Sequence, residues 1–300
     1  MNMIATTTMT DKGIHTMLMQ TKLSTYDNYA LLSLAELRRI ARAGHDVKGS
    51  LLADPLSNPK VAKNAKYANV LTFPLHLAPA DLSGFNTCAM ASDGCKQACL
   101  HTAGNPAYMS GKETARIAKT RMYFNDRSLF VAILAKEVLA ARRKAEKLNM
   151  ALAFRLNATS DIKWEKTKVQ HVGLFLTVPE IIHTIAPEAT MYDYTKIPNR
   201  TTPSYYTLTF SLSESNDLLA AGELARGHNV AMVFDTKRNQ PLPTTYTING
   251  VTAAVIDGDL TDYRPEDARG VIVGLRAKGD AIGDSSGFVR PAVQTLFFAA

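Results

Sequence analysis

Beyond about residue 65 the hydrophobic positions gather into seven short runs: NVLTFPLHL (69–77), ALAFRLN (151–157), ATMYDYT (189–195), YYTLTFS (205–211), HNVAMVFD (228–235), TAAVIDG (252–258) and GVIVGLR (270–276). Most are nearly continuous rather than alternating, the pattern of strands covered on both faces in a parallel sheet. PEIIHTIAP and SESNDLLAAGELARG separate some of them as helical or loop segments, and two longer helices are predicted over about 112–124 and 128–148. The second sets Leu129, Phe130, Ile133, Leu134 and Val138 on an apolar face and ends in Arg142, Arg143, Lys144 and Lys147. Cations are favoured at that end of the helix dipole, so a solvated helix end explains them.

The fold class that follows is α/β, a partial or full (β/α) barrel of mostly parallel strands. In such barrels the chemistry collects in loops at the carboxyl ends of the strands. Residues 1–62 read as an N-terminal extension, with one helix in SLAELRRIARAGHD opened by Ser33 and Glu36 as a capping box and a loop-like DPLSNPKVAKNAKYAN after it. Residues 63–300 read as a single barrel-like domain, with the tail GFVRPAVQTLFFAA packing on its body.

Three hundred residues, 46% hydrophobic and 20% charged, suit one large soluble domain. The runs fall short of the roughly 18 apolar residues that a membrane span needs. The N-terminal MNMIATTTMTDKGIHTMLMQ lacks a secretory order, which with the cysteine usage predicts the cytoplasm and no membrane partner. A net charge of +7 favours a nucleotide or nucleic acid as partner. Solubility alone explains the same surplus.

All three cysteines, Cys88, Cys95 and Cys99, lie in NTCAMASDGCKQACLHTAGN with the spacing C-x6-C-x3-C. An odd number clustered in a reduced chain points to a metal or to catalysis. Thiolates select zinc, cuprous copper or an iron–sulfur cluster. Structural zinc closes a tetrahedron and needs a fourth ligand, such as His101 or His76. A cubane [4Fe-4S] cluster on three cysteines leaves one iron open to a substrate or cofactor. Three unliganded thiols are the third alternative.

Polar residues stand at successive strand ends: Asn157, Thr159, Ser160 and Asp161; Lys196, Asn199 and Arg200; Ser211, Ser213 and Glu214; Asp235 and Lys237; Asp257 and Asp259; Arg276 and Lys278. Singly each reads as a cap or turn residue. The aspartates Asp257, Asp259 and Asp262 also suit a divalent cation, although turns explain them at least as well. Tyr192, Tyr194, Tyr205 and Tyr206 are placed either to stack on a nucleobase or to serve as ordinary strand tyrosines. GDAIGDSSG (279–287) lacks the following Gly-Lys-Ser/Thr of a phosphate loop and reads as a surface turn.

The order of strand, cysteine loop and helix, then FRLNATSDIKWE, YDYTKIPNR and LTFSLSESN, resembles the phage "gene product 88" domain family over roughly 65–280. It also resembles related phage proteins that look like radical S-adenosylmethionine (SAM) enzymes, in which a C-x6-C-x2-C loop follows the first strand. The resemblance implies a radical-SAM-like partial barrel with a [4Fe-4S] cluster on Cys88, Cys95 and Cys99 as metal ligands. It further implies SAM cleavage by one electron from a donor, and a radical acting on an unidentified substrate, a nucleotide or nucleic acid among the candidates. By strand order, Asn157 falls in the cofactor set, and Thr159, Ser160 and Asp161 fall in it toward the methionine end of SAM. Ser211, Ser213 and Glu214 fall toward its ribose, and Lys196 toward its carboxylate. The chain departs from the usual radical SAM pattern in its cysteine spacing, in Ala98 before the last cysteine, and in lacking a Gly-Gly-Glu triplet. The competing reading is a non-catalytic, nucleic-acid-binding or replication-associated phage protein with a structural zinc or iron–sulfur site. A phage-encoded chain of either kind would work in the host cytoplasm.

Overall fold

The computed structural model describes residues 23–57, 61–99 and 110–293. His101, the first 22 residues of the expected N-terminal extension and residues 294–300 of the apolar tail lie outside the described residues. The strands are β1 (Val70–Pro74), β2 (Ala151–Arg155), β3 (Lys168–His171), β4 (Leu174–Thr177), β5 (Thr190–Thr195), β6 (Tyr206–Ser211), β7 (Val230–Phe234), β8 (Thr245–Ile248), β9 (Val251–Asp257), β10 (Ile272–Arg276) and β11 (Val289–Arg290). All seven apolar runs are strands, as β1, β2, β5, β6, β7, β9 and β10. The helices are α1 (Thr25–Ala30), α2 (Leu34–His45), α3 (Ala62–Tyr67), α4 (Asp93–Gln97), α5 (Ser110–Asn125), α6 (Arg127–Leu148), α7 (Val178–Ile185) and α8 (Asp217–Ala225).

The fold is mixed α/β around one largely parallel nine-stranded sheet in the order β1-β2-β5-β6-β7-β10-β9-β8, with β11 on β7. Only the β8–β9 pair within it is antiparallel. A full barrel would pair its two outer strands, whereas β1 and β8 are edges and the sheet stays open. The reason is topological. The chain enters β9 through a hairpin from β8 and then inserts β10 between β9 and β7, so its last long strand lies inside the sheet and never reaches β1. The β3–β4 hairpin stands apart as a two-stranded sheet.

Successive strand residues point to opposite faces. On one face Leu71, Phe73, Leu152, Phe154 and Met191 pack with Phe130, Ile133, Leu134 and Val138 of α6 and Ile181 and Ile182 of α7. Farther along it, Phe210, Val230, Met232, Phe234 and Ile272 pack with Ala220, Ala221 and Leu224 of α8. Each large side chain so buried contributes roughly 1.5–3 kcal/mol. Tyr26, Leu37, Ala41, Val47, Leu51 and Leu52 belong to the first of these clusters, so the described part of the N-terminal segment is built into the core. The capping box expected at α2 is present, with Ser33 and Glu36 bonded reciprocally.

Over β1, β2 and β5 the opposite face mixes the polar Thr72, Arg155, Tyr192 and Tyr194 with a small cluster of Val70, Ala153 and Tyr263. There α3 docks through Asn64, which donates to Thr72 Oγ1 at 2.9 Å and to Tyr192 Oη at 3.0 Å. Asn64 also accepts from the Asp262 backbone at 2.7 Å. The segment expected as a loop is helical here because of this anchoring; its N-cap, Val61, contributes no side-chain bond. Among the described residues no helix is long and apolar enough to cross a membrane.

Candidate functional site

The cysteine loop leaves the carboxyl end of β1 and is pinned to the body before it reaches the first sulfur. Leu75, Leu77 and Ala78 are fully buried. Thr87 ties the two sides of the loop together: its hydroxyl donates to the Ala78 carbonyl at 2.6 Å and its N–H to the Ala80 carbonyl at 2.8 Å. The Thr87 carbonyl accepts from the Asp161 N–H at 2.8 Å, which joins the loop to the exit of β2. Ala80 is left-handed, with φ of 46°, and its N–H points at Cys88 Sγ at 3.4 Å. The Thr87 hydroxyl lies 3.7 Å from the same sulfur.

Burial pushes the Cys88 thiol up in pKa. The Ala80 N–H and the Thr87 hydroxyl oppose that rise, and negative charge on Asp161 and Cys95 adds to it. Cys88, Cys95 and Asp161 therefore share one electrostatic environment. Cys95 lies in α4, where Ser92 is the N-cap and its hydroxyl accepts the Cys95 N–H at 3.3 Å. Cys99 follows α4 and faces Arg116 of α5; burial lowers the Arg116 pKa while the Cys99 charge raises it. All three cysteines are half-buried and none is in a disulfide. Among the described residues, no three His, Cys, Asp or Glu side chains are grouped so as to hold a metal ion.

The strand-end residues divide into two sets. Asn157 and Ser160 bond to each other in the turn after β2, while Thr159 and Ser213 each also hold a neighbouring segment. Asn157 Oδ1 accepts from Ser160 Oγ at 2.9 Å, the Ile162 N–H at 2.9 Å and Trp164 Nε1 at 3.0 Å. Thr159 Oγ1 donates to the Leu77 carbonyl at 2.6 Å. The Ser213 N–H donates to Asn216 Oδ1 at 2.7 Å, and its carbonyl accepts from Arg290 at 2.9 Å.

Asp161 and Glu214 instead bond to the cysteine loop, and Lys196 and Ser211 are linked to it through Asp161. Asp161 accepts the Lys196 N–H at 2.8 Å and Arg200 Nη1 at 3.1 Å. Burial raises its pKa against the lowering effect of these partners. Lys196 Nζ donates to Ser211 Oγ at 3.2 Å and lies 5.4 Å from the centre of the Phe288 ring. Glu214 reaches across from the loop after β6. Ser92 Oγ donates to its Oε2 at 2.7 Å and the Gly94 N–H to its Oε1 at 2.8 Å. Burial acts to raise the Glu214 pKa, but the bonds from Ser92 and Gly94 and the charge of Lys196 outweigh it, and the carboxyl sits below its ordinary range.

Thr87, Ser92, Arg116 and Phe288 join this site without having been singled out in the sequence. Only Ser92 carried a signal there, as a cap residue before the Asp-Gly-Cys that opens α4. Other expected features are placed elsewhere. Asp257 and Asp259 pair with Arg276 at 2.9 and 3.1 Å, and Asp262 with Arg155 at 2.6 Å. Tyr192 and Tyr206 are buried, Tyr194 lies under Arg155, and Tyr205 stacks on His183 with centroids 4.0 Å apart. In the basic stretch of α6, Arg142 pairs with Glu146 and Glu188, and Lys144 with Asp54.

The family model described as Gene product 88 matches residues 50–292. No curated protein and no solved structure matches the chain.

Proposed function

This chain belongs to the phage Gene product 88 family, and from that premise we propose that it is an iron–sulfur protein of radical-SAM-like type. In this reading Cys88, Cys95 and Cys99 hold a [4Fe-4S] cluster at the open carboxyl edge of the parallel sheet. The observation that carries it is the joining of the cysteine loop to the ends of β2, β5 and β6, through Asp161, Lys196 and Glu214.

Donor chemistry supports the fit. Cys88 Sγ already receives an N–H from Ala80, and hydrogen bonds to sulfur are among the features that set cluster potentials. A thiol whose pKa is raised by burial and by neighbouring negative charge needs a cation to ionise it, and a bound metal supplies that charge. A cubane holds its thiolates farther apart than a single ion does, so it asks for less convergence of the sulfurs than zinc.

When bound and reduced, the cluster would supply the single electron that cleaves SAM. The residues of the chain have the remaining work. Lys196 offers a cation toward the SAM carboxylate, with Ser211 holding its ammonium group from the strand end. Asp161 fixes the Lys196 backbone. The net charge of +7 favours a nucleotide or nucleic acid as substrate.

Oxygen-free purification followed by iron and acid-labile sulfide analysis tests the reading. The expected result is a brown protein with a paramagnetic signal on reduction and release of 5′-deoxyadenosine when SAM and a reductant are added. A colourless protein with one bound zinc replaces this function with a structural, non-catalytic role in nucleic-acid binding. A chain that takes up no metal overturns both.

A further inference from the structure

Both oxygens of Glu214 are occupied by donors from the cysteine loop. Ser92 Oγ donates to Oε2 at 2.7 Å and the Gly94 N–H to Oε1 at 2.8 Å. Ser92 Oγ in turn accepts the Cys95 N–H at 3.3 Å, so a continuous chain of hydrogen bonds runs from the loop after β6 to the backbone of one cysteine. The contact is also closed sterically. A Cβ at Gly94 would lie 2.3 Å from Ser286 Oγ and 2.9 Å from the Glu214 carboxyl, and Gly287, at φ of 90°, packs against the Glu214 Cβ position. Three distant segments thus meet at position 94, where an added methyl would push aside the Ser286 hydroxyl and the Glu214 carboxyl.

We propose that Glu214 is a positioning residue that fixes Cys95 as a metal ligand, and that Gly94 and Ser286 complete the clamp. This rests on the reading of the cysteines as metal ligands. Partners that orient a ligand in this way commonly change metal affinity by about 10–100-fold when removed.

The test uses the full chain with Glu214→Ala, Glu214→Gln and Gly94→Ala. One measurement is the rate at which the iron-loaded protein yields its metal to a chelator. The other is alkylation of Cys95 relative to Cys88 in the metal-free protein, resolved by mass spectrometry. Glu214→Ala is expected to speed metal loss at least about tenfold and to raise Cys95 alkylation several-fold, with circular dichroism unchanged. Gly94→Ala should reproduce both effects, because the added methyl displaces the carboxyl. Glu214→Gln keeps one acceptor for the Gly94 N–H and should restore most of the wild-type behaviour.

Wild-type rates in Glu214→Ala for both measurements overturn the clamp, whatever the metal proves to be. A wild-type chain that binds neither iron nor zinc overturns the metal reading and with it the role as ligand positioner. The alkylation ratio would then still show whether Glu214 holds the Cys95 backbone.

Discussion

The backbone N–H of Asn157 donates to Asp193 Oδ1 at 2.7 Å, which locks the turn after β2 to the middle of β5. Asn157 Nδ2 reaches Asp193 Oδ2 at 3.2 Å, and the Tyr206 hydroxyl donates to the same oxygen at 2.6 Å. The carboxyl is fully buried. Its surroundings therefore mix strong hydrogen bonding with loss of water, and water loss dominates.

Burial raises the Asp193 pKa from 3.8 to about 7, against lowering by the Tyr206 hydroxyl, the Asn157 N–H and the charges of Arg155 and Arg200. A pKa higher in the folded than in the unfolded chain means that folding takes up a proton. The stability this group contributes is complete below its unfolded value near 3.8 and is lost as pH rises through about 7, at about 1.4 kcal/mol per pH unit for a single group. Urea midpoints measured between pH 5 and pH 8 should fall for the wild type and fall distinctly less for Asp193→Asn. Parallel curves for the two proteins would show that Asp193 is ionised throughout.

Much of this architecture was legible in the residues. Continuous apolar runs such as VAMVF need cover on both faces, which strands inside a helix-covered sheet receive, and all seven became strands. Reading the strand ends as one surface puts Asp161, Lys196, Ser211 and Glu214 near one another, since those loops emerge on one edge of a parallel sheet. Strand order was not legible. Nothing in the apolar pattern of GVIVGLR says that it enters between β7 and β9, because a strand buried on both faces reads alike in any interior position. Nor did composition separate Asp161, which faces the loop, from Ser160, one residue earlier, which turns inward to Asn157.

The Arg155–Asp262 pair lies at 2.6 Å, with side chains 7% and 2% exposed. Tyr192 also donates to Asp262, at 3.3 Å, and the guanidinium lies over the Tyr194 ring. Removing one member of such a pair leaves the other charge buried without its counterion. Asp262→Ala should cost about 3–5 kcal/mol by denaturant unfolding, whereas the double variant Arg155→Met, Asp262→Leu should recover much of that loss. A double variant less stable than Asp262→Ala alone would mean that the pair is net stabilising in its own right.

The turn of the β3–β4 hairpin holds a side chain that backbone sterics disfavour. His171 pairs with Leu174, so Val172 and Gly173 form a two-residue turn, with φ of 48° and 80°. Two positive φ angles are those of a type I′ turn, which selects Asn-Gly and excludes β-branched residues. Val172 is held there by its N–H, which donates to Asp27 at 3.1 and 3.2 Å, while His171 Nδ1 meets the same carboxyl at 2.6 Å. The residue is 48% exposed and recovers little of the strain through packing. Val172→Asn keeps the N–H and suits the left-handed backbone, so it should stabilise the chain by about 1 kcal/mol. That gain corresponds to a rise in Tm of about 2 °C or more for a chain of this size. Val172→Gly should gain less, because glycine adds freedom to the unfolded chain. An unchanged or lowered Tm for Val172→Asn would show that the valine side chain contributes contacts worth as much as the backbone strain it imposes.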